Sequence, residues 1–276
     1  MVSKGVNIVL RLVIVTPVYN DWESFRKLIP EIDRALELKD VEVSIIGVND
    51  GSPQAMPVML LDGMRTKCVQ SVEILELAFN MGHQRAIALG LAEVVKRNVH
   101  DVSIIMDCDG EDKPSDLLLL IEQHERSPDH IVVAQRAQRS EGRLFKACYR
   151  LYKGIFKLLT GTAISHGNFS LIPIPLLRRL ICMPDIWNHL AATVMRSRMP
   201  LQTVPTNRGT RYAGQSKLNT VSLITLGLSA ISVFTDIAFV RILVAAIFLA
   251  QIHLIDLSLG QQITIVITAT LASIGS

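Results

Sequence analysis

Residues 104–114 read IIMDCDGEDKP. An apolar run passes straight into Asp107, Asp109, Glu111 and Asp112. Carboxylates crowded at this spacing repel one another, so a cation or a chemical task should accompany them. Asp107 and Asp109 stand one residue apart at the end of a strand-like segment. Two carboxylates placed in this way can hold one divalent cation, directly or through its water. All-oxygen ligation suits the hard ions Mg2+ or Mn2+, and such an ion can bridge a diphosphate. The plain alternative is a solvated acidic turn. Glu111 and Asp112 are read as caps for the helix that begins at Pro114.

Three further stretches could contribute. In VNDGS (48–52), Asp50-Gly51 allows a tight turn, and the Asp50 carboxylate can accept hydrogen bonds from a base or a ribose, with Ser52 beside it. In NMGHQ (80–84), Asn80 and Gly82 precede a helix that also carries Gln84. A glycine there lets backbone approach a ligand at the positive helix end. In RYAGQSKLN (211–219), Arg211 and Lys217 flank a glycine-containing loop, with Ser216 beside them. Cations on a flexible loop suit a phosphate or diphosphate. Taken singly, these are an ordinary turn, a helix start and a basic linker.

The elements that must position these residues alternate. Strand patterns at 12–17, 41–50, 72–77, 102–107 and 130–135 are separated by helical patterns at 21–38, 82–97 and 114–126. This predicts an α/β fold, a mostly parallel sheet with helices on both faces. Ligands of such sheets bind at the carboxyl ends of the strands. The polar tails TPVYND, NDGS, NMGHQ and DCDGED all fall there, which places the site in one crevice.

Residues 142–160 form a further amphipathic helix, with Arg143, Lys146, Arg150, Lys153 and Lys157 on one stripe. It is either a solvated face or a helix beside anionic headgroups or a phosphate-bearing substrate. Residues 221–234 are long and apolar, and 239–260 could span a bilayer. The run at 263–276 is too short to cross. No Lys or Arg follows Arg241, so the positive-inside rule keeps the large domain cytosolic. A soluble helical core is the alternative for 221–276.

Hydrophobic residues make up 49% of the 276-residue chain and charged ones 19%, more apolar than an ordinary soluble enzyme. The net charge of +3 is too mild for a nucleic-acid partner. The four cysteines lie far apart without a CxxC pair, so neither a zinc site nor a disulfide framework is expected. Arg11 interrupts the apolar N-terminal run, which reads as a first strand and not a signal peptide.

The order and content of these motifs resemble the inverting family 2 glycosyltransferases of GT-A fold. The nearest resemblance is to their polyprenyl-phosphate branch, the dolichol-phosphate mannose synthase and undecaprenyl-phosphate glucosyltransferase types. The residues that carry it are Pro17-Val18-Tyr19-Asn20, Asn49-Asp50-Gly51-Ser52, Asn80-Met81-Gly82, Asp107-Cys108-Asp109 and Arg211 with Gly214, Ser216 and Lys217. No Gln-x-x-Arg-Trp string is present, which argues against a polysaccharide polymerase.

The resemblance implies a GT-A domain over 1–216, a juxtamembrane helix over 217–236 and membrane segments over 237–276, multi-pass or tail-anchored. It implies that Pro17, Tyr19 and Asp50 hold the nucleotide, with Asn20, Gly51, Ser52, Asn80, Gly82, Gln84 and Ser216 around it. Asp107 and Asp109 would hold Mg2+ or Mn2+ on the diphosphate, and Arg211 and Lys217 would contact donor or acceptor phosphates. The expected partners are a nucleotide-sugar, a polyprenyl phosphate and membrane lipid, with room for a homo-oligomer.

Two departures stand out. The loop after the acid pair is more charged than the family's. Asn168 and Ser170 stand where the family often has Asp and Arg. Asn cannot act as a base, which a sugar-hydroxyl acceptor requires and a lipid phosphate does not. The rival expectations are a glycosyltransferase acting on a glycan hydroxyl, with Asp112 or Glu111 as base, and a non-catalytic nucleotide-sugar-binding membrane protein.

Overall fold

The computed structural model describes residues 9–57, 60–61, 63–136, 143–163, 166–213 and 220–253. Its centre is a seven-stranded sheet. The strands are β1 (Leu10–Val18), β2 (Val41–Asn49), β3 (Val69–Glu76), β4 (Val102–Ile105), β5 (Ile131–Arg136), β6 (Ser170–Pro173) and β7 (Leu201–Thr206). Their order is β3-β2-β1-β4-β6-β5-β7. All neighbours run parallel except β6, which is antiparallel to both β4 and β5.

Alternation along the central strands divides the core in two. Leu12 and Ile14 of β1 and Ile104 of β4 face helices α1 (Trp22–Leu36) and α3 (Leu117–Arg126), where Phe25, Leu28, Ile29 and Leu120 are buried. Val13, Val15 and Ile105 face the other way, toward α2 (His83–Arg97), α5 (Ile174–Leu180) and α6 (Leu190–Ser197). Strands buried on both faces have no polar position to spare, so they read as continuous apolar runs. The expected parallel α/β architecture is present. The reversed strand β6 was not legible in the sequence, because SLIP carries no sign of its direction. Its reversal carries its first residues to the carboxyl end of β4: Ser170 pairs with Ile105.

Helix α4 (Arg143–Thr160) buries Phe156 against α6 and α7 (Thr220–Ser232), in a small cluster of Phe156, Ala192, Ala230, Val233 and Phe234. On its outer side Leu151, Ile155 and Leu158 are exposed, and so are Arg150, Lys153 and Lys157. A last helix, α8 (Thr235–His253), is long and apolar enough to cross a membrane, and its side chains from Phe239 onward are exposed. It is the one such helix among the described residues, and the short run at 263–276 lies outside them.

Two arginines fasten the start of α8 to the domain. Arg196 of α6 donates to both carboxylate oxygens of Asp236 at 3.0 Å and to the Val233 carbonyl. Arg241 donates to the Leu158 carbonyl at the end of α4, at 2.8 Å.

Candidate functional site

The site is assembled by loops at the carboxyl ends of β1, β2, β3 and β4. Asp50 follows β2 and is 3% exposed. Its carboxylate accepts the backbone N–H of Met81 at 2.7 Å and of Gly82 at 3.0 Å. It therefore shapes the loop that enters α2, and a carboxylate has acceptor capacity left beyond those two bonds. Gly51 is required here on two counts. Its φ is +62°, and a Cβ would lie 2.3 Å from the Phe79 carbonyl carbon.

Asn49 donates to Glu76 at 2.6 Å and accepts the Ser52 N–H. The Ser52 hydroxyl in turn accepts the N–H of Asn20, a residue with φ of +54°. The strand-end tails at 17–20, 49–52 and 80–82 thus form one hydrogen-bonded unit. Pro17 is buried beneath it, while Tyr19 and Asn80 are exposed at its surface. Gln84 points elsewhere: its side-chain oxygen accepts the Leu190 N–H at 2.8 Å and ties α2 to the start of α6.

The acid cluster follows β4. Asp107 Oδ1 is shielded from solvent and has no hydrogen-bond partner among the described residues. Asp109 accepts the Glu111 N–H at 2.8 Å and the Arg211 guanidinium at 2.7 Å. Arg211 also lies 3.6 Å from Glu111 and 3.9 Å from Asp21. Glu111 is held by Arg208, which donates to both of its oxygens at 2.6 Å.

Asp112 does not cap the following helix, contrary to the sequence expectation. The turn at Pro114–Asp116 has no side-chain cap at its start. Asp112 is instead buried, accepts the Asp107 N–H at 3.1 Å and meets Arg136 at 3.3 Å. It holds the backbone of the acid pair in place. Glu111 likewise caps nothing, because Arg208 engages its carboxylate.

Burial and mutual repulsion both act on the acids of the cluster. Burial first, and the charge of Asp109 second, push the Asp107 carboxyl well above the usual carboxylate range. Burial also raises Asp109. Burial, followed by the Asp107 charge, raises Asp112. Among the described residues, Arg136, Arg208 and Arg211 are the guanidiniums paired with these acids and with Asp21.

No group of three or more His, Cys, Asp or Glu side chains among the described residues is arranged to hold a metal alone. Two carboxylates, one with an unpartnered shielded oxygen, suit an ion that completes its shell with phosphate oxygens and water, as Mg2+ does.

Across from the pair, His83 Nε2 lies 3.5 Å from Asp107 Oδ1 and 3.2 Å from the Asn168 amide nitrogen. Sequence reasoning missed Arg136, Arg208 and His83 as neighbours of the acids. Arg136 ends β5, and the strand-end rule that found the other tails could have found it. Arg208 comes to Glu111 through the fold of the loop after β7, for which no local pattern exists. Ser216 and Lys217, with Gly214, lie outside the described residues.

A family model described as glycosyl transferase family 2 matches residues 13–180. That span holds β1 to α5 and all the acids of the cluster. The chain belongs to glycosyl transferase family 2. The enzyme class expected from the sequence, a glycosyltransferase, is that of the family.

Among curated relatives, the chain is 28% identical over 221 residues to an undecaprenyl-phosphate 4-deoxy-4-formamido-L-arabinose transferase of Enterobacter sp. (strain 638), covering 77% of this chain and 64% of that protein. It thus spans less than two thirds of that relative's length. It is 26% identical over 234 residues to a prophage bactoprenol glucosyl transferase homolog of Escherichia coli (strain K12), covering 82% and 72%. The glucosyl-3-phosphoglycerate synthase of Mycobacterium tuberculosis, solved with Mn2+, UDP-glucose and phosphoglyceric acid, superposes with a TM-score of 0.59 at 11% identity, over 83% of this chain and 80% of that one. This likeness shows the fold, which is the GT-A fold the family 2 motifs implied.

Proposed function

We propose that this family 2 member transfers a sugar from a UDP- or GDP-sugar to a polyprenyl phosphate at the cytosolic face of a membrane, inverting the anomeric carbon in one displacement. The observation that carries the reading is the Asp107–Asp109 pair after β4, with its shielded, unpartnered oxygen and Arg211 on its open side. Three further observations support it. Two relatives are named for undecaprenyl phosphate and bactoprenol. A structural neighbour was solved with Mn2+ and UDP-glucose. Helix α8 is predominantly apolar, and its side chains are exposed from Phe239 onward. We extend the proposal to the layout of the chain, a GT-A domain over 1–216 followed by a juxtamembrane helix and a membrane segment.

In this reading the unit built around Asp50 receives the nucleoside, with Tyr19 at its rim. Asp107 and Asp109 would hold Mg2+ or Mn2+, which would supply positive charge to the diphosphate. Asp112 and Arg136 keep the pair in register. Arg211 pairs with Asp109 and can exchange that partner for a phosphate oxygen. Lys217 would join it from the adjoining loop.

A phosphate oxygen of the acceptor attacks the anomeric carbon. The bond from that carbon to the diphosphate oxygen breaks, and the nucleoside diphosphate leaves with the electron pair. A lipid phosphate is ionised at neutral pH, so no base is needed. The acids that could serve a hydroxyl acceptor are engaged: Asp112 by Arg136 and the Asp107 N–H, Glu111 by Arg208.

The test is organic extraction with labelled UDP- and GDP-sugars, Mg2+ or Mn2+, and undecaprenyl or dolichyl phosphate, using the membrane-reconstituted chain. Metal-dependent label in the organic phase, lost in Asp109→Ala, is the expected outcome. Intact nucleotide binding with no transfer from any donor would overturn the reading and favour a hydroxyl acceptor or a non-catalytic binder.

A further inference from the structure

We propose that His83 and Asn168 form the subsite that reads the hydroxyls of the transferred sugar, with the buried His166 two residues before Asn168. The inference rests on the transferase reading above and deepens it.

A nucleotide-sugar is linear, with the base at one end, the diphosphate in the middle and the sugar at the other end. The sheet presents its loops in the same order. The Asp50 unit stands on β2 and β1, the acid pair follows on β4, and β6 comes next. From β2 to β6 is three strand spacings, roughly 14 Å, the order of an extended nucleoside diphosphate sugar. If the base lies over β2 and the diphosphate over β4, the sugar falls over the start of β6. The reversal of β6 puts Asn168 there, two residues before Ser170, which pairs with Ile105. His83, the first residue of α2, reaches the same place from the other side.

The chemistry of the place suits hydroxyl groups. Among the described residues, Asn168 Oδ1 is shielded from solvent and has no hydrogen-bond partner. His166 is 9% exposed, and neither of its ring nitrogens has a hydrogen-bond partner among the described residues. A buried polar group left in this state costs free energy until water or a ligand pairs with it. The Asn168 amide meets His83 Nε2 at 3.2 Å, and which group donates depends on the imidazole tautomer. The pair can therefore present either a donor or an acceptor, and a hydroxyl is both.

His189 stands in the same cluster, since the charges of His83 and His166 both act on it. Its Nδ1 is already committed to the Ala192 N–H. The charged and titratable groups nearest this pair, Asp107, Asp109, Asp50 and Asp112, belong to the diphosphate side of the site. His83 is exposed and Asn168 half-buried, and neither belongs to the two hydrophobic cores.

The experiment uses the full chain in detergent or nanodiscs and reads saturation-transfer NMR on UDP-glucose, UDP-galactose and GDP-mannose, with UDP and GDP alone as controls. Base and ribose protons report the nucleotide end, and sugar protons report the proposed subsite within the same molecule. His83→Ala and Asn168→Ala should lower saturation of the sugar protons and leave the base and ribose signals unchanged. Discrimination between donors differing at one hydroxyl, measured as the ratio of kcat/KM values, should fall by at least about tenfold. His83→Gln, which keeps a hydrogen-bonding group, should recover part of it.

Sugar-proton signals and donor ratios that match the unaltered chain in both alanine variants would overturn the proposal. So would an equal loss of nucleoside diphosphate binding, which would place the pair at the diphosphate. Failure of the unaltered chain to bind either nucleotide would overturn the transferase reading as well, a result distinct from both.

Discussion

At the residue scale, Arg211 is the most informative side chain. Its guanidinium sits on Asp109, the carboxylate proposed to bind the metal, so one cation must give way to the other. Arg211→Ala is expected to do two opposite things. Transfer should fall, because a diphosphate contact is lost. Mn2+ binding without nucleotide, followed by electron paramagnetic resonance, should tighten, because Asp109 is released. Weaker metal binding in that variant would contradict the exchange. Asp50 offers a stability test. Its carboxylate holds two backbone N–H groups while 3% exposed. Asp50→Asn replaces a charge-assisted acceptor with a neutral one and should cost about 2 kcal/mol in denaturant titration.

At the element scale, two joints decide how parts of the chain sit together. The first is the corner between α7 and α8. Arg196 grips Asp236 and the Val233 carbonyl there, while Phe234 packs on Phe156, with ring centroids 5.8 Å apart. Removing the guanidinium with Arg196→Ala should speed amide hydrogen exchange across 233–238 and leave β1, β2 and β4 as protected as before. Uniform loosening of the whole domain would show that Arg196 acts on the fold and not on the corner. The second joint is Asn168, two residues before the reversed strand β6, where its amide meets His83 beside the acids.

At the scale of the whole molecule, charge and apolarity are segregated. The acids and their arginines gather at one end of the sheet, and α8 carries exposed apolar side chains from Phe239 onward. If α8 crosses a bilayer, a carboxylate near its middle is costly, about 2.5–3.5 kcal/mol on insertion scales. Val244→Asp should therefore shift the chain from the membrane pellet to the alkaline carbonate wash, and unchanged pelleting would argue against a span.

The domain also has a predictable acid sensitivity. Burial pushes His166 and His189 down to about 4 from the usual 6.5. Both are neutral when folded, while the unfolded chain takes up protons below pH 6.5. Their contribution is fully present above pH 6.5 and is lost as pH falls toward 4. His189→Asn keeps a capping side chain at the start of α6 and removes one titration, so the plot of Tm against pH should flatten over that window.

The sequence by itself determined the alternation of strand and helix, because burial on both faces demands apolar runs and one-sided burial demands helical spacing. It also determined that polar tails at strand ends would meet, because parallel strands place those ends side by side. Asp107, Asp109 and Asp50 were legible for that reason. The tertiary structure alone decided three things. Asp112 braces the pair and does not cap, because Arg136 arrives from the end of β5. Gln84 ties α2 to the start of α6 through the Leu190 N–H. Asn168 lies beside His83 because β6 runs backward. Each depends on side chains distant in sequence, and no local pattern of residues encodes a partner 24, 106 or 85 positions away.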